Sequence, residues 1–241
     1  MTEHGERAIV LVHSSDLHVD DEIVKGRYNG LIGLRSVIDT AVAQGADVLL
    51  LAGDTFDNLR VSEAVLREAA AILSSAPMPV VMLPGNHDPA TENCLFRRAG
   101  IIGLNNVHVL GITHAESIVF DDHGLEICGH AHRSFADMSP LRAPWPRTTR
   151  WQVVMAHGHY VSPDDWESQS HRAWKISDDE LAMTEADYIA LGHWDRPTPA
   201  GDGRVPAYYS GSPDLANTVN VIRLTEPAGA VVERVPVHWP Q

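Results

Sequence analysis

Basic residues are in short supply in this sequence. Across 241 residues, 18 Lys and Arg face 32 Asp and Glu, for a net charge of −14. A protein that grips long DNA unaided carries a basic footprint. The acidic balance argues against that class unless a metal site or a partner subunit supplies positive charge. Cysteine is scarce as well. Cys94 and Cys128 cannot build a disulfide framework and read as small apolar packing residues. No apolar run approaches the roughly 20 residues that cross a bilayer. The opening residues lack the charged, apolar and small-residue pattern of a secretory signal. No internal period marks a repeat protein. A reduced, cytoplasmic protein without membrane contact is the expectation. The 44% apolar share supports a real core and excludes disorder as the main state.

What the chain has in plenty is histidine: 14, dispersed along its length. The question is whether they meet in space. The first half alternates. AIVLVH is a short buried strand. A helix-spaced set (Leu31, Leu34, Val37, Ile38, Ala41 and Val42) ends at Gly45. ADVLLLAGD is a second strand, Ser62 caps a second helix, and PVVMLPGNHD is a third strand. This order predicts a right-handed parallel unit with helices on the sheet. The second half is richer in strands: VHVL, SIVF, LEIC, WQVVMAH and ADYIALGH. AYYSG, TVNVIRL and AVVERVPV are expected to form a closing antiparallel set. Residues 139–150 read as a surface loop, and 158–178 as an active-site loop with a short helix. No Gly/Ser or Pro linker divides the chain, so 1–241 reads as a single domain with no separate cap.

Five apolar strands end in His, Asp or Asn: Asp16-Leu17-His18, Gly53-Asp54 then Asp57, Gly85-Asn86-His87-Asp88, His157, and Gly192-His193-Trp194-Asp195. Ligands of open α/β sheets bind at the carboxyl ends of strands, so these side chains are expected around one cleft. Hard oxygens mixed with imidazoles, without a thiolate, suit Mn, Fe or Zn in a two-metal site rather than a Cys-rich structural zinc. Two such ions clamp both oxygens of a phosphoryl displacement.

The ordered set D-x-H, G-D, G-N-H-D, lone His and G-H-x-D resembles the calcineurin-like metallophosphoesterase superfamily. HSSDLH, LAGDTFD, LPGNHD, ADYIALGH and AYYSGSP are most similar to its SbcD-type nuclease branch. The resemblance implies a four-layer αββα sandwich of two mixed β-sheets flanked by helices. It implies Asp16 and His18 on the first metal, Asp54 bridging, and Asn86, His157 and His193 on the second. His87 would orient the phosphate or protonate the leaving oxygen, with Asp88 holding His87. The family's last histidine is Asp195 here, which either binds through oxygen, making the site harder and favouring Mn, or weakens the first metal or leaves it exchangeable. Two divalent ions are implied, Mn first, with Fe or Zn as alternatives. The reaction implied is phosphoester hydrolysis by a metal-activated water. A phosphodiester is preferred, either a small molecule or a short nucleic acid. The alternatives are an SbcD-like DNA exo- or endonuclease, a phosphomonoesterase and, more remotely, a non-catalytic metal-binding scaffold.

Some residues stand apart from this set. Gly129-His130-Ala131-His132 spells G-H-x-H but follows a weaker strand than GHWD. His130 and His132 either line the cleft rim and touch substrate or are surface loop histidines. His159 is a second candidate beside His157. His13 reads as a packed histidine, and His4, His123, His171 and His238 as solvent histidines. Trp166, Trp174 and Trp194 either stack on a substrate ring or pack a loop. Arg133, Arg142, Arg147 and Arg150 either neutralise a phosphate or are solvated.

Overall fold

The computed structural model describes residues 7–22, 29–141, 145–165 and 173–240. His4, Arg142, Trp166 and His171 lie outside them. The strands are β1 (Ile9–Ser14), β2 (Val48–Ala52), β3 (Val80–Leu83), β4 (Val107–Val109), β5 (Ser117–Phe120), β6 (Leu125–Gly129), β7 (Trp151–His157), β8 (His159–Tyr160), β9 (Lys175–Ile176), β10 (Tyr188–Gly192), β11 (Thr198–Ala200), β12 (Ala207–Tyr209), β13 (Thr218–Thr225) and β14 (Gly229–Pro236). The helices are α1 (Gly30–Ala43), α2 (Glu63–Ser74), α3 (Asp178–Met183) and α4 (Pro213–Ala216).

Two six-stranded sheets stack face to face. One runs β14-β13-β1-β2-β3-β4 and the other β11-β12-β10-β7-β6-β5. β1 to β4 are parallel, as are β12, β10, β7 and β6. Antiparallel strands close the edges. The central strands are apolar throughout because both faces are covered. Alternate residues serve different layers. Val10, Val12, Leu49 and Leu51 pack under α1 and α2. Ile9, Leu11, Val48 and Leu50 meet Val153, Met155, Tyr188 and Ala190 of the second sheet. Val154, Ala156, Ile189 and Leu191 face outward beneath α3 and irregular segments. The fold is thus an α/β sandwich of two mixed sheets. Its helical cover is substantial on the first sheet and slight on the second.

The start of α2 is the one expected at Ser62, and Asn29 plays the same part for α1. Asn29 and Ser62 cap α1 and α2 by accepting the backbone N–H groups of Ile32 and Val65. One expectation fails. AYYSG does not join the closing antiparallel set. It forms β12 and pairs parallel with β10 in the second sheet, while only β13 and β14 return antiparallel beside β1. Apolar content marked it as a strand but could not assign its sheet. Among the described residues, no helix is long and apolar enough to cross a membrane.

Candidate metal centre

The parallel strands of both sheets deliver their carboxyl ends to one rim. Asp16 and His18 follow β1, Asp54 follows β2, Asn86 and His87 follow β3, His157 ends β7 and His193 follows β10. Two tight groups of donor atoms result, His18 with Asp54 and His87, and Asp54 with His157 and His193. Within each, all ligand atoms lie within 4.8 Å of one another. Asp54 belongs to both.

The second group has the finer geometry. The His157 Nδ1–H donates to the Ala52 carbonyl at 2.9 Å, which turns Nε2 inward. Nε2 stands 3.1 Å from Asp54 Oδ2 and 3.0 Å from Asn86 Oδ1. His193 Nδ1 is 3.1 Å from the same Asn86 oxygen. The Asp16 carboxylate accepts the His193 backbone N–H at 3.0 Å. In the first group the His18 Nδ1–H donates to Asp57 Oδ1 at 2.9 Å, leaving Nε2 to face the cluster. The His87 Nδ1–H donates to the Asp57 carbonyl at 2.5 Å, and its backbone N–H to Asp54 Oδ1 at 2.9 Å.

The backbone is bent to achieve this. Asp16, His18, Asp54 and His193 have φ of 54°, 48°, 50° and 103°. Non-glycine residues seldom adopt such angles, and they cluster where a surrounding structure over-determines a site. Two glycines admit the crowding. A Cβ on Gly85 would lie 2.2 Å from Asp54 Oδ1, and one on Gly192 would lie 1.8 Å from the Ala52 carbonyl oxygen.

The electrostatics ask for a cation. Asp16 and Asp54 are each 2% exposed, and burying carboxylates is expensive unless positive charge accompanies them. Burial alone would lower the His157 pKa, but the Asp54 carboxylate outweighs it and lifts the value to about 9. Burial would raise Asp54, but His157 overrides it and lowers the pKa. Burial, with the Asp54 charge added, raises Asp16 despite His157. Burial holds His193 down to about 3, helped by the His157 charge. One imidazolium thus serves two buried carboxylates. Once its Nε2 proton leaves, the inward atoms are oxygen and nitrogen lone pairs without sulfur. That donor set fits Mn, Fe or Zn.

Several sequence expectations change here. Asp88 does not hold His87. It is fully buried, and its carboxylate accepts the backbone N–H groups of Gly85 at 2.7 Å and Phe56 at 3.0 Å. Burial, then the Asp54 charge, pushes its pKa up to about 7. Asp88 therefore shapes the loop, and Asp57 orients both His18 and His87. The available signal was its spacing, three residues past Asp54 on the same turn. His130 and His132 are not surface loop histidines, for both are buried. The His130 Nδ1–H donates to the Ser139 carbonyl at 3.1 Å, and the His132 Nε2–H to the His157 carbonyl at 2.7 Å. His159 accepts the Trp194 indole N–H at 3.0 Å instead of joining a donor group. Asp195 lies half-buried just past His193, outside the two tight groups. His13 is a buried histidine beside the Tyr188 hydroxyl, 2.9 Å away.

Comparison with known proteins agrees with this geometry. Residues 9–197 match the calcineurin-like phosphoesterase family. The chain is 26% identical over 205 residues to a Bacillus subtilis protein described as the uncharacterized metallophosphoesterase YhaO, covering 77% of this chain and 48% of that one. It is 24% identical over 241 aligned positions to the D subunit of the B. subtilis nuclease SbcCD, covering 84% and 61%. The chain thus spans about half to three-fifths of these relatives' length. The Thermus thermophilus protein TT1561 shares the fold, with a TM-score of 0.61 and 12% identity over 96% of this chain and 100% of that one. The two-sheet sandwich, the rim of Asp, Asn and His, and the ordered motifs agree: this chain belongs to the calcineurin-like phosphoesterase family.

Proposed function

We propose that this metallophosphoesterase binds two divalent cations and hydrolyses phosphodiesters in preference to monoesters. The observation that carries the reading is the sharing of Asp54 between two tight donor groups. Asp54 would bridge, with Asp16 and His18 on one side and Asn86, His157 and His193 on the other. Asp195 would complete the first side through an oxygen. The mixed oxygen and nitrogen set supports Mn, with Fe or Zn as alternatives. When bound, such ions polarise the phosphoryl oxygens and make water a nucleophile at neutral pH.

The protein's own groups do the rest. Asp57 holds the Nδ1–H of His87, so Nε2 points into the site. The His87 side chain is 41% exposed, open enough to meet substrate. When protonated, Nε2 would donate to the leaving oxygen, a general-acid role. Asp57 would also fix the tautomer of His18, the usual task of a group behind a ligating histidine. A small diester or a short nucleic acid suits the open rim. The nuclease subunit among the relatives supports the second, and the acidic charge of −14 opposes unaided binding of long DNA. The two free, buried cysteines suit a reducing cytoplasm.

The test is turnover of bis(p-nitrophenyl) phosphate with added Mn, alongside elemental analysis. We expect hydrolysis that a chelator abolishes and two metal equivalents per chain. His87→Ala should lower turnover and retain metal. An equal fall in metal content would make His87 a ligand instead. Asp195→His with unchanged occupancy and activity would remove Asp195 from the ligand set.

A further inference from the structure

Beside the donor groups lies a cavity of about 380 Å³, within the roughly 300–1,000 Å³ typical of small-molecule sites. Leu59, Arg60, Asn86, His87, Phe135 and Trp174 are among the residues that line it. The two rings have different status. Phe135 is 60% exposed and belongs to none of the three apolar layers. Trp174 is pinned. Its indole N–H donates to the Ala136 carbonyl at 3.1 Å, and its backbone N–H to the Asp137 carboxylate at 2.6 Å. Its ring edge meets His132 at 5.3 Å and His193 at 5.8 Å between centroids. Both hydrogen bonds end on the residues that follow Phe135, so the two rings sit on one tied unit. Trp174 also has φ 56°, a rare angle for a bulky side chain and one that tends to mark functional positions. An unpacked phenyl ring is thus presented in water next to the histidine that would meet the leaving group.

The geometry points to a subsite for a flat aromatic group on the substrate, a nucleobase or an aryl ring. The group stacks on Phe135, with Trp174 as the fixed back wall and its phosphate directed to His87. Arg60 lines the same cavity, and a guanidinium favours a π-face. This inference rests on the phosphoesterase reading and narrows its substrate class. Stacking of one base on an aromatic side chain is sequence-tolerant, so the subsite selects for aromaticity and not for one base.

The test uses the Mn-loaded protein and three phosphonates, whose carbon–phosphorus bonds survive phosphoester hydrolysis. They are methylphosphonate, phenylphosphonate and the methylenephosphonate analogue of adenosine 5′-monophosphate, each titrated by calorimetry. Both aromatic ligands should bind about tenfold more tightly than methylphosphonate, the size of one stacking contact. Phe135→Ala should erase most of that preference and leave methylphosphonate affinity unchanged, and Phe135→Trp should retain it. An adenosine analogue tighter than phenylphosphonate identifies a nucleobase site, and equal affinities identify a site for a simple ring. Equal binding of all three ligands, or a preference that survives Phe135→Ala, overturns the subsite. Turnover of bis(p-nitrophenyl) phosphate by the same preparation separates the two readings. Turnover without aromatic preference removes the subsite alone, whereas preference without turnover removes the hydrolytic reading alone.

Discussion

Two Gly-His segments flank β7 at the same end of the second sheet, and they do different things. Gly129-His130-Ala131-His132 follows β6, and Gly192-His193-Trp194-Asp195 follows β10. A side chain on Gly129 would strike Leu83 and Leu110, whereas one on Gly192 would strike the Ala52 carbonyl. So the β10 segment lies over β2, the strand that delivers Asp54, and the β6 segment lies over apolar side chains at the ends of β3 and β4. His193 accordingly turns through φ 103° and reaches Asn86. His130 and His132 turn to backbone carbonyls. Chemistry here depends on which strand of the opposite sheet lies across the gap, more than on the letters of the motif.

The comparison can be broken by mutation. His193→Ala should cost more than about a hundredfold in diesterase turnover, above the usual penalty for groups behind the ligands. If His132→Ala costs as much, the two segments are equivalent and the assignment fails. His132→Ala should instead weaken metal affinity by about 10–100-fold, because the carbonyl it holds belongs to His157. Competition with a metallochromic chelator measures this.

Acidity sharpens the same contrast. The His157 pKa is raised to about 9 by Asp54 against the opposing effect of burial, so its unfolded form near 6.5 binds fewer protons across that window. In metal-free protein the stabilisation from this pair is full below about pH 6.5 and is lost as the pH rises through about 9. Denaturant midpoints of wild type and Asp54→Asn, taken at steps of pH, should converge or cross as pH increases. His132, held near 4 by burial and then the His157 charge, adds no such loss there. The smallest effect belongs to His130→Ala. Removal of its bond to Ser139 should lower stability by about 1 kcal/mol, read by urea unfolding, while turnover stays within about twofold of wild type.

The strands and long helices were legible because both faces of each sheet are covered, the apolar spacing of α1 is helical, and Ser62 caps α2. The strand-end residues were legible for the same reason, since a buried run that stops at Asp or His announces a rim. Side-chain direction was not. Spacing placed Asp88 beside His87, but a carboxylate among unpaired N–H groups bonds the backbone of Gly85 and Phe56 instead. The strand-end pattern places Asp57 at the cleft, but it does not show that its carbonyl meets His87 and its carboxylate meets His18. AYYSG read correctly as a strand, but its partner is fixed by contacts with β10 that no local pattern encodes. Phe135 gave no signal, because a lone exposed ring in a sequence says nothing about the histidine beside it.

The proposed ligands come from opposite halves of the sandwich: Asp16, His18, Asp54 and Asn86 from one sheet, His157 and His193 from the other. Between those halves lie side-chain packing, scattered hydrogen bonds and the His157–Asp54 pair, and the two cysteines form no covalent tie. Ions seated on these six residues would act as rivets through both plates. Stripping them would then loosen the molecule as well as silence it, and heat resistance and catalysis would rise and fall together.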